Sequence, residues 1–310
     1  MLNQQLMVKA SWFYHVEGLT QAQIADRMLL TRRRVNELLA AALQQGIVRV
    51  SFNSPLADSV EMEAELCRRH GLTDVVIVPT PNDKAQMPLV LGRAAAMFLD
   101  QMVHAGKVQS LGVGWGATLR ETAHQLTPTN SADIKVHSMM GGLTRGSEVN
   151  TFEIVRRFAK RLNAECHYLA APIYADDPAS RDTIIAQSVF AALLRDAVDV
   201  NVCLLSVGDV TQESLQVRYG LPTRTEISEL VGAGAVGDLL GRYLDQDGCE
   251  IDHPLNRQVI SPELEEYRNI PCRIIASGGF NKRQIIRACL ANDLVDVLVT
   301  DSETASWLLM

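Results

Sequence analysis

At 310 residues the chain is about twice the length of a typical domain, which predicts one large or two unequal domains. Hydrophobic residues make up 47% and charged residues 21%, an ordinary globular mixture with no run of apolar residues long enough for a membrane span and no amino-terminal secretory pattern. The net charge of −7 hides an asymmetry: residues 1–53 carry six basic and three acidic groups, +3, which leaves −10 for the remainder. A local basic patch is what a phosphate backbone responds to, so an acidic total does not exclude DNA.

The first fifty residues divide into short helices. Residues 8–17 read as a helix with Ala10, Phe13, Tyr14 and Trp12 on its core side, stopped by Gly18. Trp12, Phe13 and Tyr14 are assigned to core and dimer contacts rather than to base stacking. Thr20 caps a second helix, QAQIADRM, whose Ile24, Ala25 and Met28 share a face, and Leu29 and Leu30 fill the turn after it. Thr31 caps a third, RRRVNELLAAALQQ, with Val35, Leu38, Leu39, Ala42 and Leu43 as its apolar stripe. Gly46 stops it, and IVRVSF alternates as a wing strand would. Three helices and a strand at these intervals predict a winged helix-turn-helix over residues 1–53.

A recognition helix enters the major groove by its amino-terminal residues. Here that end offers Thr31, Arg32, Arg33, Arg34 and Asn36, with Thr20 and Gln21 at the start of the preceding helix. Arginine bidentate to guanine and asparagine to adenine each supply about 1–3 kcal/mol of discrimination. A triple arginine alone is compatible with a solvated helix face. Its position behind a threonine cap, on the third helix and before a wing, favours double-stranded DNA.

After the Asn53-Ser54-Pro55 junction, residues 54–310 alternate strand-like and helical patterns. VVIV, VQSLGVG, IKVHSMM, CHYLAAP, VNVCLLSVG, RIIASGG and LVDVLVTD read as strands, and the helical stretches between them predict an α/β domain with a parallel, Rossmann-like sheet. Ligands of such sheets bind beyond the carboxyl ends of the strands. Gly114-Trp115-Gly116-Ala117-Thr118 opens directly into a helix and offers backbone N–H donors and a hydroxyl to a phosphate. It matches neither nucleotide-binding glycine motif. Gly142, Asn150, Asp238 and Lys282 stand at or near other expected strand ends. Carboxylate and amide suit sugar hydroxyls; ammonium and Thr118 suit phosphate. A solvated lysine and helix-capping carboxylates, Asp301 among them, are the plainer readings of the same residues.

The six cysteines and seven histidines are scattered without metal-ligand spacing, so neither a metal nor a cofactor is expected, and a reduced cytoplasmic location follows. No compact acid, base and nucleophile set emerges, so no catalytic residue is assigned. An enzyme of this fold could use Asp238 and Lys282 but would have no use for residues 8–52.

The stretches WFYHVEGLTQAQIADRM, LTRRRVNELL, GIVRV, LGVGWGATL, MMGGL, GAVGDLLGRYLDQDG and ASGGFNKRQIIRACLANDLVDVLVTD, in this order, resemble the SorC family of sugar-binding transcriptional regulators, within the wider DeoR-like group, over nearly the whole chain. The resemblance implies an effector domain similar to sugar-phosphate isomerases and deaminases, a homotetramer, operator DNA and a phosphorylated sugar or polyol effector. Carried over, the turn with Gly114, Gly116, Ala117 and Thr118 would hold phosphate, and Gly142, Asn150, Asp238 and Lys282 would contact the effector. The family's A-G-G-x-x-K motif has Ser277 in its first place here, with Lys282 retained. The segment GGLTRGSEVNTFE is similar to regulators of erythritol and related polyol catabolism.

Overall fold

The computed structural model describes residues 2–48, 57–130, 133–143, 148–221 and 227–310. They form two compact units, Met1–Ala57 and Asp58–Met310.

The first unit is a three-helix cluster of α1 (Leu2–His15), α2 (Gln21–Met28) and α3 (Arg32–Gln44). Both threonine caps form. Thr20 Oγ1 accepts from Gln23 N (3.3 Å) while the Gln23 side chain accepts from Thr20 N (2.9 Å), a reciprocal capping box. Thr31 Oγ1 accepts from Arg34 N (3.2 Å) and so fixes where α3 begins. Ile24, Ala25, Val35, Leu38, Leu39 and Ala42 are buried as their spacing predicts, against Met7, Ala10 and Phe13.

Several expectations need correcting. Helix α1 starts at Leu2 rather than residue 8, because Met7 extends the Ala10–Phe13 stripe backwards by one turn. Trp12 and Tyr14 are 56% and 41% exposed, since that stripe already faces the other helices and their side chains leave the unit. Leu43 and Leu29 are exposed too, Leu29 at 93% in a left-handed turn (φ 55°) that ends α2. Residues 49–52 of the expected wing strand and the 53–55 junction lie outside the described residues.

The second unit starts with α4 (Ala57–His70), β1 (Asp74–Val78), α5 (Met87–His104), β2 (Ser110–Val113), α6 (Ala117–Gln125), β3 (Lys135–Ser138), α7 (Thr151–Leu162) and β4 (Glu165–His167). It continues with α8 (Pro178–Ile185), α9 (Ser188–Val198), β5 (Val202–Leu205), α10 (Leu215–Arg218), α11 (Ile227–Gly232), β6 (Gly237–Leu239) and β7 (Arg242–Leu244). Last come α12 (Leu264–Tyr267), β8 (Arg273–Ala276), α13 (Arg283–Ala291), β9 (Val297–Asp301) and α14 (Ser302–Leu308).

All seven expected strands pair in parallel in one sheet of order β1-β9-β8-β5-β2-β3-β4. Side chains alternate across it, which explains why these strands read as continuous apolar runs. Val202, Leu204, Ile274, Ala276, Val297 and Val299 join one core with Leu91, Leu119 and Phe158 of α5, α6 and α7. Cys203, Leu205, Ile275 and Leu298 join the opposite core with Leu66, Ile285 and Leu308 of α4, α13 and α14. The chain order reverses between β2 and β5, which places the crevice beyond their carboxyl ends.

One element has no counterpart in the expectation. Strands β6 and β7 form an antiparallel hairpin through Leu240 and Gly241, both at positive φ (58° and 77°). Asp238 therefore sits on a hairpin and not at the carboxyl end of a sheet strand. Leucine at a left-handed turn position gives no turn signal, so nothing in the sequence marks this hairpin.

Leu38 is fully buried in a unit with a small core. Leu38→Ala should cost about 2–5 kcal/mol and strip hydrogen-exchange protection from α3 while β8 and β9 keep theirs. Equal loss of protection in both units would contradict their independence.

Candidate functional site

A cavity of about 570 Å³ opens at the carboxyl end of the parallel sheet. One wall is the start of α6. Gly116 is its N-cap residue at φ 121°, a conformation that favours glycine, with open space where a Cβ would stand. No side chain caps this helix, its first-turn N–H groups have no intrahelical acceptor, and Gly116, Ala117 and Thr118 line the cavity. Helix α6 is held close to α5 by Gly92, where a Cβ would fall 2.9 Å from Thr118 O and 2.5 Å from Glu121 Cβ. Lys84 and Arg218 bring further positive charge to the lining.

The floor is built across the end of β5. Gly208 and Asp238 exchange backbone hydrogen bonds (Gly208 N to Asp238 O, 2.9 Å; Asp238 N to Gly208 O, 3.0 Å), which staples the β6–β7 hairpin over the sheet. A Cβ on Gly208 would lie 1.7 Å from Asp238 Oδ1, so glycine at 208 is what lets the Asp238 carboxylate occupy this position. Lys282 reaches in from the turn before α13. Its Nζ donates to Val207 O (2.8 Å) and pairs with Asp209 Oδ2 (3.0 Å).

The two carboxylates respond oppositely. Burial pushes Asp209 up, but the Lys282 charge and hydrogen bonds from Thr211 and Lys282 outweigh it and hold the group below the usual range. Burial dominates at Asp238, pushed up to about 6 against the opposing effects of Lys282, the Gly241 N–H and, least, the Gln216 amide. Asp238 Oδ2 accepts from Gly241 N (3.1 Å), while Oδ1 has no hydrogen-bond partner. Nearby, Gln216 is buried with Oε1 accepting from Tyr243 Oη (2.5 Å) and its Nε2 unpartnered.

Of the effector residues expected from sequence, Gly116, Ala117, Thr118, Asp238 and Lys282 line this cavity together. Gly114, Gly142 and Asn150 are not in its lining. Gly114 packs where a Cβ would meet Leu205 at 3.0 Å, and Gly142 is pressed against the Phe152 ring. Asn150 caps α7 and is tied to Leu143, with Oδ1 accepting from Leu143 N (3.1 Å) and Nδ2 donating to Leu143 O (2.9 Å). It also borders a separate open groove with Glu153, Arg156 and Tyr168. Sequence reasoning missed Gln216, whose four-residue helix has no periodicity to read, and Thr80. Asp301 serves as a cap: it accepts from Thr304 N (3.1 Å), Thr80 Oγ1 (2.7 Å) and Gly279 N (2.7 Å), which ties down the turn that carries Lys282.

In the first unit Arg32, Arg33 and Asn36 are exposed on α3. Glu37 draws Arg33 Nε and Arg34 Nη1 to 3.1 Å each, and those two arginines lower its pKa. Arg34 is further held by Asn3 Oδ1 (2.7 Å) and is the least free of the three. Thr20 and Gln21 begin α2, the hydroxyl of Thr20 being used in the cap.

A helix-turn-helix unit followed by an α/β lobe with a polar cavity at its switch point defines a ligand-sensing DNA-binding protein. The Sugar-bind family model, a sugar-binding domain, matches residues 54–310. The transcriptional regulator LsrR of Escherichia coli is 30% identical over 315 residues, covering 100% of this chain and 96% of that protein. The erythritol catabolism regulatory protein EryD of Brucella abortus is 25% identical, covering 99% and 97%. The full-length sorbitol operon regulator SorC from Klebsiella pneumoniae superposes with a TM-score of 0.75 at 24% identity over 100% of both chains. The chain belongs to the SorC-like family of sugar-binding transcriptional regulators, and the relatives it matches are regulators rather than enzymes. Among the described residues, no helix is long and apolar enough to cross a membrane and no cluster of metal-ligating side chains occurs.

Asp238 gives the site a measurable pH signature. Its folded pKa of about 6 lies above the ordinary carboxylate value of 3.8, so the ionised group opposes folding. That cost is full above pH 6 and disappears as pH falls from about 6 toward 4. Asp238→Asn should therefore stabilise the protein at pH 7.5, by at most about 3 kcal/mol. The gain should shrink on acidification, as followed by thermal melts across pH 4.5–7.5. A pH-independent difference would show that the buried carboxylate is not the cause.

Proposed function

We propose that α3 reads double-stranded operator DNA through Arg32, Arg33, Arg34 and Asn36, and that the cavity binds a phosphorylated sugar or polyol which controls this binding. The observation that carries the effector half is the meeting of an uncapped helix start at Gly116–Thr118 with Asp238 and Lys282 around one cavity. An anion is stabilised by free N–H groups and the dipole at a helix start. Hydroxyls match a carboxylate with a vacant lone pair. The names of the relatives support the same class, since one is a regulator of erythritol catabolism and another a sorbitol operon regulator.

On this reading Thr31, at the cap of α3, and Thr20 and Gln21, at the start of α2, face phosphate oxygens and position the unit. Gly142 and Asn150 shape the loop preceding α7 instead of touching the effector. The homotetramer and the cytoplasmic location implied by the family resemblance belong to the same proposal, and sedimentation tests the first.

A ligand shifts an equilibrium only through different affinities for the two states, so the effector must bind DNA-competent and DNA-incompetent arrangements unequally. Replacing Arg32, Arg33 and Arg34 by alanine should abolish operator retention in a mobility-shift assay. It should also flatten the salt dependence by up to about 0.9 in log–log slope for each phosphate that is no longer neutralised. Thermal stabilisation by phosphorylated polyols should survive in that variant. Retained operator binding would remove α3 from the reading.

A further inference from the structure

The floor of the cavity holds two buried polar atoms that make no hydrogen bond of normal geometry in the folded chain, Asp238 Oδ1 and Gln216 Nε2, although the Gln216 amide lies near enough to help lower the Asp238 pKa. Their residues are 3% and 4% exposed. A buried donor or acceptor left unsatisfied is costly, and native structures keep few of them. Here two lie in one wall of one cavity, and they are of opposite kind. One can only accept while ionised; the other can only donate.

The orientation of the Gln216 amide is fixed from behind. Tyr243 Oη lies 2.5 Å from Gln216 Oε1, and Tyr174 Oη lies 3.4 Å from the same atom while donating to Gly241 O at 2.6 Å. Burial pushes the phenols of Tyr174 and Tyr243 well up, so both stay protonated. Tyr243 thus brings a proton to the amide oxygen, and the NH2 end is turned toward the carboxylate side, where Asp238 favours it. A flipped amide would set its oxygen against Asp238.

We propose that Gln216, acting with Asp238, selects the effector by its hydroxyl groups: a hydroxyl donates to Asp238 Oδ1 and accepts from Gln216 Nε2. This rests on the phosphorylated-polyol reading of the cavity and adds to it a specificity-determining residue outside any glycine or lysine motif. A site built to hydrogen-bond a hydroxyl rejects a ligand lacking it, because the two buried groups then keep only their poorly aligned contact with each other.

The test uses isothermal titration of the full-length protein at pH 7.5. The probes are erythritol 4-phosphate, ribose 5-phosphate and glucitol 6-phosphate, the unphosphorylated parents, and butyl phosphate as an anion of similar length without hydroxyls. The wild-type protein should prefer the tightest polyol or sugar phosphate over butyl phosphate by at least about tenfold. Gln216→Leu should cut that preference by about tenfold or more while leaving butyl phosphate affinity within about twofold. If the leucine variant fails to fold, Tyr243→Phe, which unlocks the amide without touching the ligand, should reduce the preference by about threefold or more.

A wild-type protein without preference for hydroxyls overturns the inference, and so does an undiminished preference in the folded variant. The phosphate reading fails separately if a parent polyol or sugar binds as tightly as its phosphate, with the Gln216 dependence intact. Binding of none of the probes to the wild type overturns both.

Discussion

Everything at the mouth of the sheet follows from the backbone pairing of Gly208 with Asp238. Those two hydrogen bonds lay a short hairpin across the end of a central strand, where a Cβ at position 237 would strike Gly208 O and a Cβ at position 208 would strike the Asp238 carboxylate. The hairpin brings a carboxylate into a nearly dry position. A carboxylate there is expensive unless a cation stands near, and Lys282 is the cation. The turn that delivers Lys282 is in turn anchored by Asp301, which accepts from the Gly279 N–H and caps α14. Cavity, charge pair and carboxyl-terminal helix are thus one construction.

The charges of this construction divide the cavity. Lys282 already serves Asp209 and lies within electrostatic reach of Asp238, so its end of the cavity carries two carboxylates for one ammonium. A phosphate set there would meet net negative charge in a medium that screens poorly. The start of α6 offers the opposite field, from free N–H groups and the helix dipole. On the proposed reading, anion and hydroxyl recognition fall to separate walls, and Gly92 fixes the position of the first by letting α5 and α6 touch.

The parallel sheet was legible because each of its strands is covered on both faces, and continuous apolar runs such as Val202–Leu205 have few other uses. The caps at Thr20 and Thr31 were legible because the hydroxyl and the N–H that donates to it lie three residues apart in the chain. What escaped depends on partners distant in sequence. Trp12 looks like core until Met7, Ala10 and Phe13 are seen to occupy that face. Asn150 has the chemistry of a ligand group, but its amide is spent on Leu143. Gln216 gains meaning only when Tyr243, 27 residues later, claims its oxygen. Residue chemistry and the family resemblance both singled out Asp238 and Lys282; neither announced the hairpin that makes Asp238 hard to ionise.

The link between α2 and α3, the pair proposed to read DNA, is made in an unusual way. Leu29 ends α2 in the left-handed region, φ 55° and ψ 42°, with its side chain almost wholly in water. That conformation costs a non-glycine residue about 1–2 kcal/mol, and an isobutyl group in solvent returns nothing. The angle between α2 and α3 is consequently imposed by the interlocking of Ile24 and Ala25 with Val35 and Leu38, and the turn merely submits to it. The presentation of the arginine-bearing tip is thereby a property of the miniature core behind it, so that loosening those four side chains would blunt the reader before any arginine was touched.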